Sequence, residues 1–125
     1  MAERKLILLV EDDKFLAELY ATKLKLENFT VLLAADGEKG VKLASEKNPD
    51  LILLDIILPK MDGFEVLKKI KANKSLKNIP IILLTNLSQK DEVQKGLALG
   101  AVDYLIKAHF MPSEVVKKIK QNLAR

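Results

Sequence analysis

The stretch LILLDIILPKMDGFEVLKKI, residues 51–70, decides the fold of this chain. Its first four residues, 51–54, are all apolar and show no polar alternation, which is typical of a strand buried on both faces. The pair Asp62-Gly63 favours a turn. Small and apolar residues then follow at helical spacing, namely Gly63, Val66, Leu67 and Ile70. The stretch therefore predicts a buried strand, a loop and a helix.

The same alternation runs along the whole chain. Short apolar runs occupy residues 6–10, 31–34, 51–54, 81–84 and 104–106, and longer stretches of helical spacing separate them. The first of these stretches has its apolar residues at Leu16, Leu19, Tyr20 and Leu24. Strands that alternate with helices favour parallel pairing through right-handed crossovers. We therefore predict an α/β fold, a doubly wound five-stranded parallel sheet between two layers of five helices.

The last predicted helix has the clearest two-sided pattern. It begins near Pro112, and its apolar stripe consists of Val115, Val116, Ile119 and Leu123. The polar residues predicted to face water are Glu114, Lys117, Lys118, Lys120 and Gln121. One face of this helix is thus expected to pack on the sheet.

Length and composition favour a single domain, 1–125, because 125 residues allow one hydrophobic core. The sequence has no cysteine, which excludes a disulfide framework and fits a reducing, cytoplasmic setting. The apolar run at residues 6–10 is too short for a signal peptide or a membrane span. The formal charge of +4 does not predict direct nucleic-acid binding, because the lysines are spread over all helices and Trp is absent.

Acidic side chains directly follow two of the predicted strands. Glu11 and Asp12 come after the first strand, and Asp55 comes after the third. In open parallel sheets the carboxyl ends of the strands form the edge at which ligands bind. If these two strands are neighbours, like charges about 4 Å apart repel by roughly 4 kcal/mol at an effective dielectric constant of about 20. A cation would offset this cost, and ligands that are all oxygens favour Mg²⁺.

The fourth and fifth strands end in groups of complementary chemistry, the hydroxyl of Thr85 and the ammonium of Lys107. A carboxylate can attack a phosphoryl group when nearby cations offset the charge on the transferring oxygens. Asp55 is the best candidate nucleophile, because it ends an apolar strand alone. Glu11 and Asp12 form a pair that is better suited to hold an ion.

Taken together, these residues resemble the receiver domain of two-component response regulators. The resemblance runs from Lys5 to about Leu123 and depends on an ordered set of residues, Glu11, Asp12, Asp55, Thr85 and Lys107. The stretch at residues 59–63 and the Gly100-Ala101 turn support it. It implies a flavodoxin-like sheet with strand order 2-1-3-4-5 and a stand-alone receiver similar to the chemotaxis regulators.

The resemblance also implies roles for the residues at the strand ends. Asp55 would accept a phosphoryl group from a histidine kinase, a histidine phosphotransfer protein or a small donor such as acetyl phosphate. Lys107 would pair with Asp55 and then with the phosphoryl oxygens. Mg²⁺ would be held by Asp12, by Asp55, by the backbone carbonyl of Ile57 and, through water, by Glu11.

A switch is implied as well. Thr85 would move its hydroxyl onto the phosphoryl group, and Tyr104 would turn inward into the space that this movement leaves. The surface of the fourth helix, fifth strand and fifth helix would change and bind a downstream protein. The domain would be a monomer that can dimerise on activation.

The chain departs from the family pattern at four positions. Ala108 follows Lys107 where the family usually has proline, and Asn86 stands where a small residue is common. Ile57 and Leu87 are apolar at positions that flank the path of the hydrolytic water. We therefore expect slow self-dephosphorylation, and an altered loop after Lys107.

Two alternatives stay open at the level of sequence. One is a receiver-like adaptor that signals without phosphorylation, which the departures at Asn86 and Ala108 would allow. The other is a Mg²⁺-dependent phosphohydrolase with Asp55 as nucleophile. Enzymes of that kind resemble haloacid dehalogenases and need a second acid two residues after the nucleophile, where this chain has Ile57.

Overall fold

The computed structural model describes residues 4–85, 90–107 and 112–123, and strands alternate with helices throughout these ranges. The strands are β1 (Leu6–Val10), β2 (Thr30–Ala34), β3 (Leu51–Asp55), β4 (Ile81–Thr85) and β5 (Asp103–Ile106). The helices are α1 (Lys14–Leu26), α2 (Gly37–Lys47), α3 (Gly63–Ala72), α4 (Lys90–Ala98) and α5 (Pro112–Leu123). The predicted order of elements is confirmed.

The strands form one parallel sheet in the order β2-β1-β3-β4-β5. The chain order reverses beside β1, so β1 and β3 are neighbours, with Val10 opposite Leu54. On the other side, Asp55 lies opposite Leu84, and Thr85 lies opposite Ile106. The predicted doubly wound, flavodoxin-like topology is therefore confirmed, and the carboxyl ends of β1, β3, β4 and β5 share one edge.

The central strands supply two hydrophobic cores, one on each face of the sheet. Leu8 and Leu54 belong to the core on the side of α2 and α3, whereas Leu9 and Leu53 belong to the core on the side of α1 and α5. All four side chains are fully buried. Successive residues of a strand point to opposite faces, so burial of both faces requires the continuous apolar runs that the sequence shows.

The prediction that every strand is buried on both faces was wrong for β2 and β5. These strands form the two edges of the sheet, and both contain exposed or half-buried residues. The bounds of β1 were predicted correctly, but the other four strands were each predicted one residue too short, because β2 begins at Thr30, β3 ends at Asp55, β4 ends at Thr85 and β5 begins at Asp103. Hydrogen bonding between strands thus includes polar residues that a search for apolar runs leaves out.

Two helical side chains also differ from prediction. Leu19 was assigned to the core face of α1 but is 42% exposed, because small and aromatic residues such as Ala17, Tyr20 and Ala21 form that face. Lys118 was expected to face water but is half-buried against β5. The apolar stripe of α5 was otherwise predicted correctly, and Val115, Val116 and Ile119 are buried.

The turns before α1, α2 and α3 are closed by aspartate caps. Asp13, Asp36 and Asp62 each accept a hydrogen bond from the backbone N–H three residues later.

Three of the positions at which the sequence departs from the family pattern, Asn86, Leu87 and Ala108, lie outside the described residues. Within the described ranges, no helix has the length and apolar character needed to cross a membrane.

Candidate functional site

Three carboxylates meet where β1 and β3 end side by side. Glu11, Asp12 and Asp55 each offer one oxygen, and these oxygens lie within 4.8 Å of one another. Glu11 and Asp55 are buried, whereas Asp12 is exposed. The predicted convergence of the two acidic positions is present in the structure, and it follows directly from the adjacency of β1 and β3.

Lys107 supplies the positive charge of this cluster. Its Nζ donates a hydrogen bond to Asp55 Oδ2 at 2.7 Å and lies 2.7 Å from Glu11 Oε1. Its backbone N–H donates to the carbonyl of Thr85 at 2.8 Å, which fixes the lysine at the end of β5. Burial favours a lower pKa for Lys107, but its contacts with Asp55 and Glu11 outweigh burial and raise the pKa. The ammonium form is thus held firmly.

The surroundings of Glu11 disfavour the charged form of its carboxyl. Burial raises the pKa of its carboxyl, and the nearby Asp55 raises it further, while Lys107 acts in the opposite direction. Its Oε2 accepts a hydrogen bond of 3.3 Å from the backbone N–H of Asp13. Its Oε1 forms an ion pair of 2.7 Å with Lys107 Nζ and, among the described residues, has no second partner. This oxygen therefore has coordination capacity left for a cation.

The acidic cluster opens into a cleft of about 510 Å³. Besides the three carboxylates and Lys107, the cleft is lined by Asp13, Leu16 and Ile57. The backbone N–H of Ile57 donates to Asp55 Oδ1 at 3.2 Å, while the residue as a whole is 60% exposed. Asp55 is thus held from two sides, by Ile57 and by Lys107. Leu16, which the sequence assigned only to a helix face, adds to the apolar rim of the cleft.

Thr85 and Tyr104 lie on a second cavity. Thr85 is buried at the end of β4, and Tyr104 is 38% exposed on the edge strand β5. Both line a cavity of about 230 Å³ together with residues of α4 and Ile106. The structure therefore places the two predicted switch residues on a common space, next to the acidic cleft but not inside it.

The acidic cluster has the composition of a site for a hard divalent cation. All of its candidate ligands are oxygens, and one of them, Glu11 Oε1, is buried with Lys107 as its one partner in the part of the chain that is described. Mg²⁺ prefers such oxygens and is commonly held by one or two carboxylates with water and phosphate oxygens. The residues present thus fit the metal that the sequence suggested.

Comparison with known proteins shows which family the chain resembles. Residues 7–120 match the model of the response regulator receiver domain. The alkaline phosphatase synthesis transcriptional regulatory protein PhoP of Bacillus subtilis (strain 168) is 40% identical over 121 residues, which cover 97% of this chain and 49% of that protein. The chain therefore spans about half the length of this curated relative.

Two solved structures show the same fold. The receiver domain of the sensor histidine kinase PA1611 from Pseudomonas aeruginosa PAO1, with magnesium coordinated in its active-site cleft, is 30% identical, with a TM-score of 0.89 and coverage of 98% of this chain and 99% of that one. The chemotaxis protein CheY4 of Vibrio cholerae is 29% identical, with a TM-score of 0.87 and coverage of 94% and 98%. These matches are to signalling proteins, which disfavours the phosphohydrolase alternative.

Proposed function

This chain belongs to the response regulator receiver domain family, and from that premise we propose that Asp55 is the residue that accepts the phosphoryl group. The observation that carries the proposal is the placement of Asp55. It lies within 4.8 Å of two other carboxylates, and one of its oxygens accepts a hydrogen bond of 2.7 Å from Lys107. A nucleophilic carboxylate, a cation site and a fixed ammonium therefore meet at one point.

The reaction is a transfer from a donor to a carboxylate. An oxygen of Asp55 forms a bond to phosphorus, the bond between phosphorus and the donor breaks, and the leaving group departs with the bonding electrons. Lys107 neutralises charge on Asp55 before the transfer and on the phosphoryl oxygens after it. The product is an acyl phosphate. Attack of water on its phosphorus later breaks the bond to Asp55, restores the carboxylate and releases inorganic phosphate.

The proposed metal ligands are Glu11, Asp12, Asp55 and the backbone carbonyl of Ile57. When bound, Mg²⁺ would supply positive charge to the transferring oxygens. Asp12 is exposed and accessible to an entering ion, whereas Glu11 is buried. We infer that Asp12 and Asp55 contact the metal directly and that Glu11 acts through a coordinated water.

The proposed switch consists of Thr85 and Tyr104. The Thr85 hydroxyl would bind the phosphoryl group, and the Tyr104 ring would move into the cavity that the two residues line. Such a change is a population shift, so it requires contacts that exist in one state and are absent in the other. The affected surface would comprise α4, β5 and α5.

The proposed partners are a histidine kinase or a histidine phosphotransfer protein as donor, and a downstream protein that binds the surface of α4, β5 and α5. We infer that residues 1–125 form one receiver domain, a monomer with capacity to dimerise on activation. Contact with protein, and no direct contact with nucleic acid, is proposed for this domain. The cytoplasmic location stays a prediction from sequence.

The test is the intact mass of the protein after incubation with acetyl phosphate, with and without Mg²⁺. We expect one phosphoryl adduct on the parent in the presence of Mg²⁺ and none on Asp55→Asn. Asp13→Asn is the matched control, because asparagine also caps helices well and the variant should still form the adduct. An adduct on Asp55→Asn would assign the acceptor role elsewhere, and no adduct on the parent would favour the adaptor alternative.

A further inference from the structure

Lys118 on α5 makes three contacts with β5. Its Nζ donates to Asp103 Oδ1 at 2.7 Å and to the backbone carbonyl of Tyr104 at 3.2 Å. The same Nζ lies 5.5 Å from the centre of the Tyr104 ring. A cation within about 6 Å of an aromatic ring centre is attracted by the electron density on its face. One ammonium group thus contacts both the backbone and the side chain of Tyr104.

The Lys118 side chain passes around the edge of the sheet to reach Tyr104. Leu105 belongs to the core beneath α1 and α5, and Asp103 points to the same side, where it meets Lys118. Tyr104 and Ile106 point to the opposite side and line the cavity next to α4. The Lys118 side chain therefore starts on one face of the sheet and reaches the ring of a residue on the other.

The base of Lys118 is also fixed. The side-chain amide of Asn122, which is buried, donates to the backbone carbonyl of Lys118 at 2.9 Å. The same amide nitrogen lies 3.4 Å from Asp103 Oδ2. Asp103 in turn accepts a hydrogen bond of 2.8 Å from the backbone N–H of Tyr104. The Lys118 ammonium group is thus held in place by contacts other than the one with the Tyr104 ring.

The Tyr104 ring has an alternative position available. The cavity of about 230 Å³ that it lines continues to Thr85 and to Val93 on α4. A ring that moved into this cavity would leave the Lys118 ammonium behind, because that group is tied to Asp103 on the other face. The contact between Lys118 and the ring therefore belongs to the outward position alone.

We propose that Lys118 is a positioning residue that holds Tyr104 in its outward position and so opposes the switch. Loss of the contact should increase the inward population about two- to five-fold, which is the effect of an exposed cation and ring. The consequence for phosphorylation depends on the function proposed above. A ligand that selects the inward state should bind more tightly by the same factor.

The first test needs no phosphoryl donor. The chain has two tyrosines, so ring labelling gives one set of NMR signals for each, and buried Tyr20 serves as the internal reference. A soluble paramagnetic agent broadens the signal of an exposed ring. We expect less broadening of the Tyr104 signal in Lys118→Met than in the parent.

Three further variants isolate the contact. Lys117→Met removes an exposed lysine next to Lys118 and should leave the Tyr104 signal unchanged. Lys118→Arg keeps a cation that stacks on aromatic rings and should restore the broadening. Asp103→Asn keeps the ammonium but weakens its anchor, and should have a smaller effect than Lys118→Met. Equal broadening in the parent and Lys118→Met would overturn the proposal.

The second test measures the affinity for beryllium trifluoride, a mimic of the phosphoryl group, in the presence of Mg²⁺. We expect binding to tighten about two- to five-fold in Lys118→Met and to be unaffected by Lys118→Met when Tyr104 is already replaced by Leu. Equal tightening in both backgrounds would overturn the proposal. If no variant and no parent binds the mimic, the proposed function fails, while the NMR result still decides the role of Lys118.

Discussion

Ile57 lines the acidic cleft beside the three carboxylates, and its side chain is apolar although the residue is 60% exposed. Asp55, the proposed phosphoryl acceptor, lines the same cleft, so water that hydrolyses an acyl phosphate there would approach through it. An apolar side chain offers such a water no hydrogen bond. Ile57 should therefore prolong the phosphorylated state.

Replacement of Ile57 by Asn tests this effect. We expect Ile57→Asn to shorten the lifetime of the acyl phosphate several-fold, because an amide can bind and orient the attacking water. The lifetime is followed by intact mass after removal of the donor. Leu26→Asn, on an exposed leucine of α1, is the control. A lifetime that does not change in Ile57→Asn would show that this side chain does not control access of water.

Two glycines differ in what surrounds them. A Cβ on Gly63 would lie 2.4 Å from the carbonyl oxygen of Asp55 and 2.7 Å from Cα of Ile56, both in the backbone. A Cβ on Gly96 would lie 2.3 Å from Cδ1 of Leu83, the end of a flexible side chain. The Leu83 side chain can move away without a shift of the main chain, whereas the backbone atoms near Gly63 cannot.

Gly63→Ala should therefore destabilise the fold more than Gly96→Ala. Overpacking against a rigid neighbour costs about 1–3 kcal/mol, whereas Gly96→Ala gains about 1 kcal/mol of helix propensity in α4 that offsets part of its cost. Urea unfolding measures both variants. Gly63→Ala should also slow formation of the phosphoryl adduct, because it displaces the end of β3. Equal stability of the two variants would contradict this account.

Asp103 links β5 to α5 through hydrogen bonds from Lys118 and Asn122. Burial alone would raise the pKa of Asp103, but hydrogen bonds from Lys118, from the Tyr104 backbone and from Asn122 outweigh burial and lower it. A carboxyl whose pKa is lowered by folding stabilises the fold above its unfolded pKa, which is 3.8 for Asp. That contribution is lost as the pH falls through the lower value in the folded state.

Asp103→Asn should therefore cost about 1 kcal/mol of unfolding free energy at neutral pH. The difference from the parent should persist down to about the unfolded pKa and disappear at a pH well below 3.8. Urea unfolding at both pH values measures it. Glu46→Gln, at an exposed position of α2, should show no such dependence. A difference that stayed constant with pH would mean that the carboxyl charge is not involved.

Sequence periodicity predicted the strands and helices well, but it predicted the burial of their side chains less well. The apolar runs identified every strand, because burial between two layers of helices requires continuous apolar residues. They did not show that β2 and β5 are edges, since strand position depends on how the whole sheet assembles. The exposure of Leu19 and the partial burial of Lys118 were not predicted either, because both depend on contacts between elements. Asp103, the partner of Lys118, is distant in sequence and meets it only in the folded chain.

At the scale of the whole molecule, the site was more predictable than these details. Asp55 is the last residue of β3, whereas Glu11 and Asp12 follow β1 and Lys107 follows β5, and a parallel sheet brings its strand ends to one edge. Adjacency of the three carboxylates required only that β1 and β3 be neighbours, whereas the approach of Lys107 also required β4 and β5 to follow β3 in the sheet. The pairing of Lys107 with Glu11 as well as with Asp55 was not predicted, because it depends on the depth at which Glu11 is buried.

We expect the stability of the molecule to depend on Mg²⁺, because an ion bound at the proposed site would offset the repulsion among Glu11, Asp12 and Asp55. A ligand that binds only the folded state stabilises it by about 2.7 kcal/mol at a concentration 100 times its Kd. For a domain of this size that corresponds to an increase in Tm of about 10 °C. Thermal unfolding should show this increase with MgCl₂ but not with NaCl at equal ionic strength, and a chelator should reverse it.

Two neighbouring aspartates separate specific binding from general screening. Asp12→Asn removes a proposed ligand and should lose most of the Mg²⁺-dependent increase in Tm. Asp13→Asn removes the adjacent charge but keeps a good helix cap for α1, so it should retain the increase. If both variants respond like the parent, Mg²⁺ stabilises the chain somewhere else. In that case the carboxylates of Glu11, Asp12 and Asp55 are not its site.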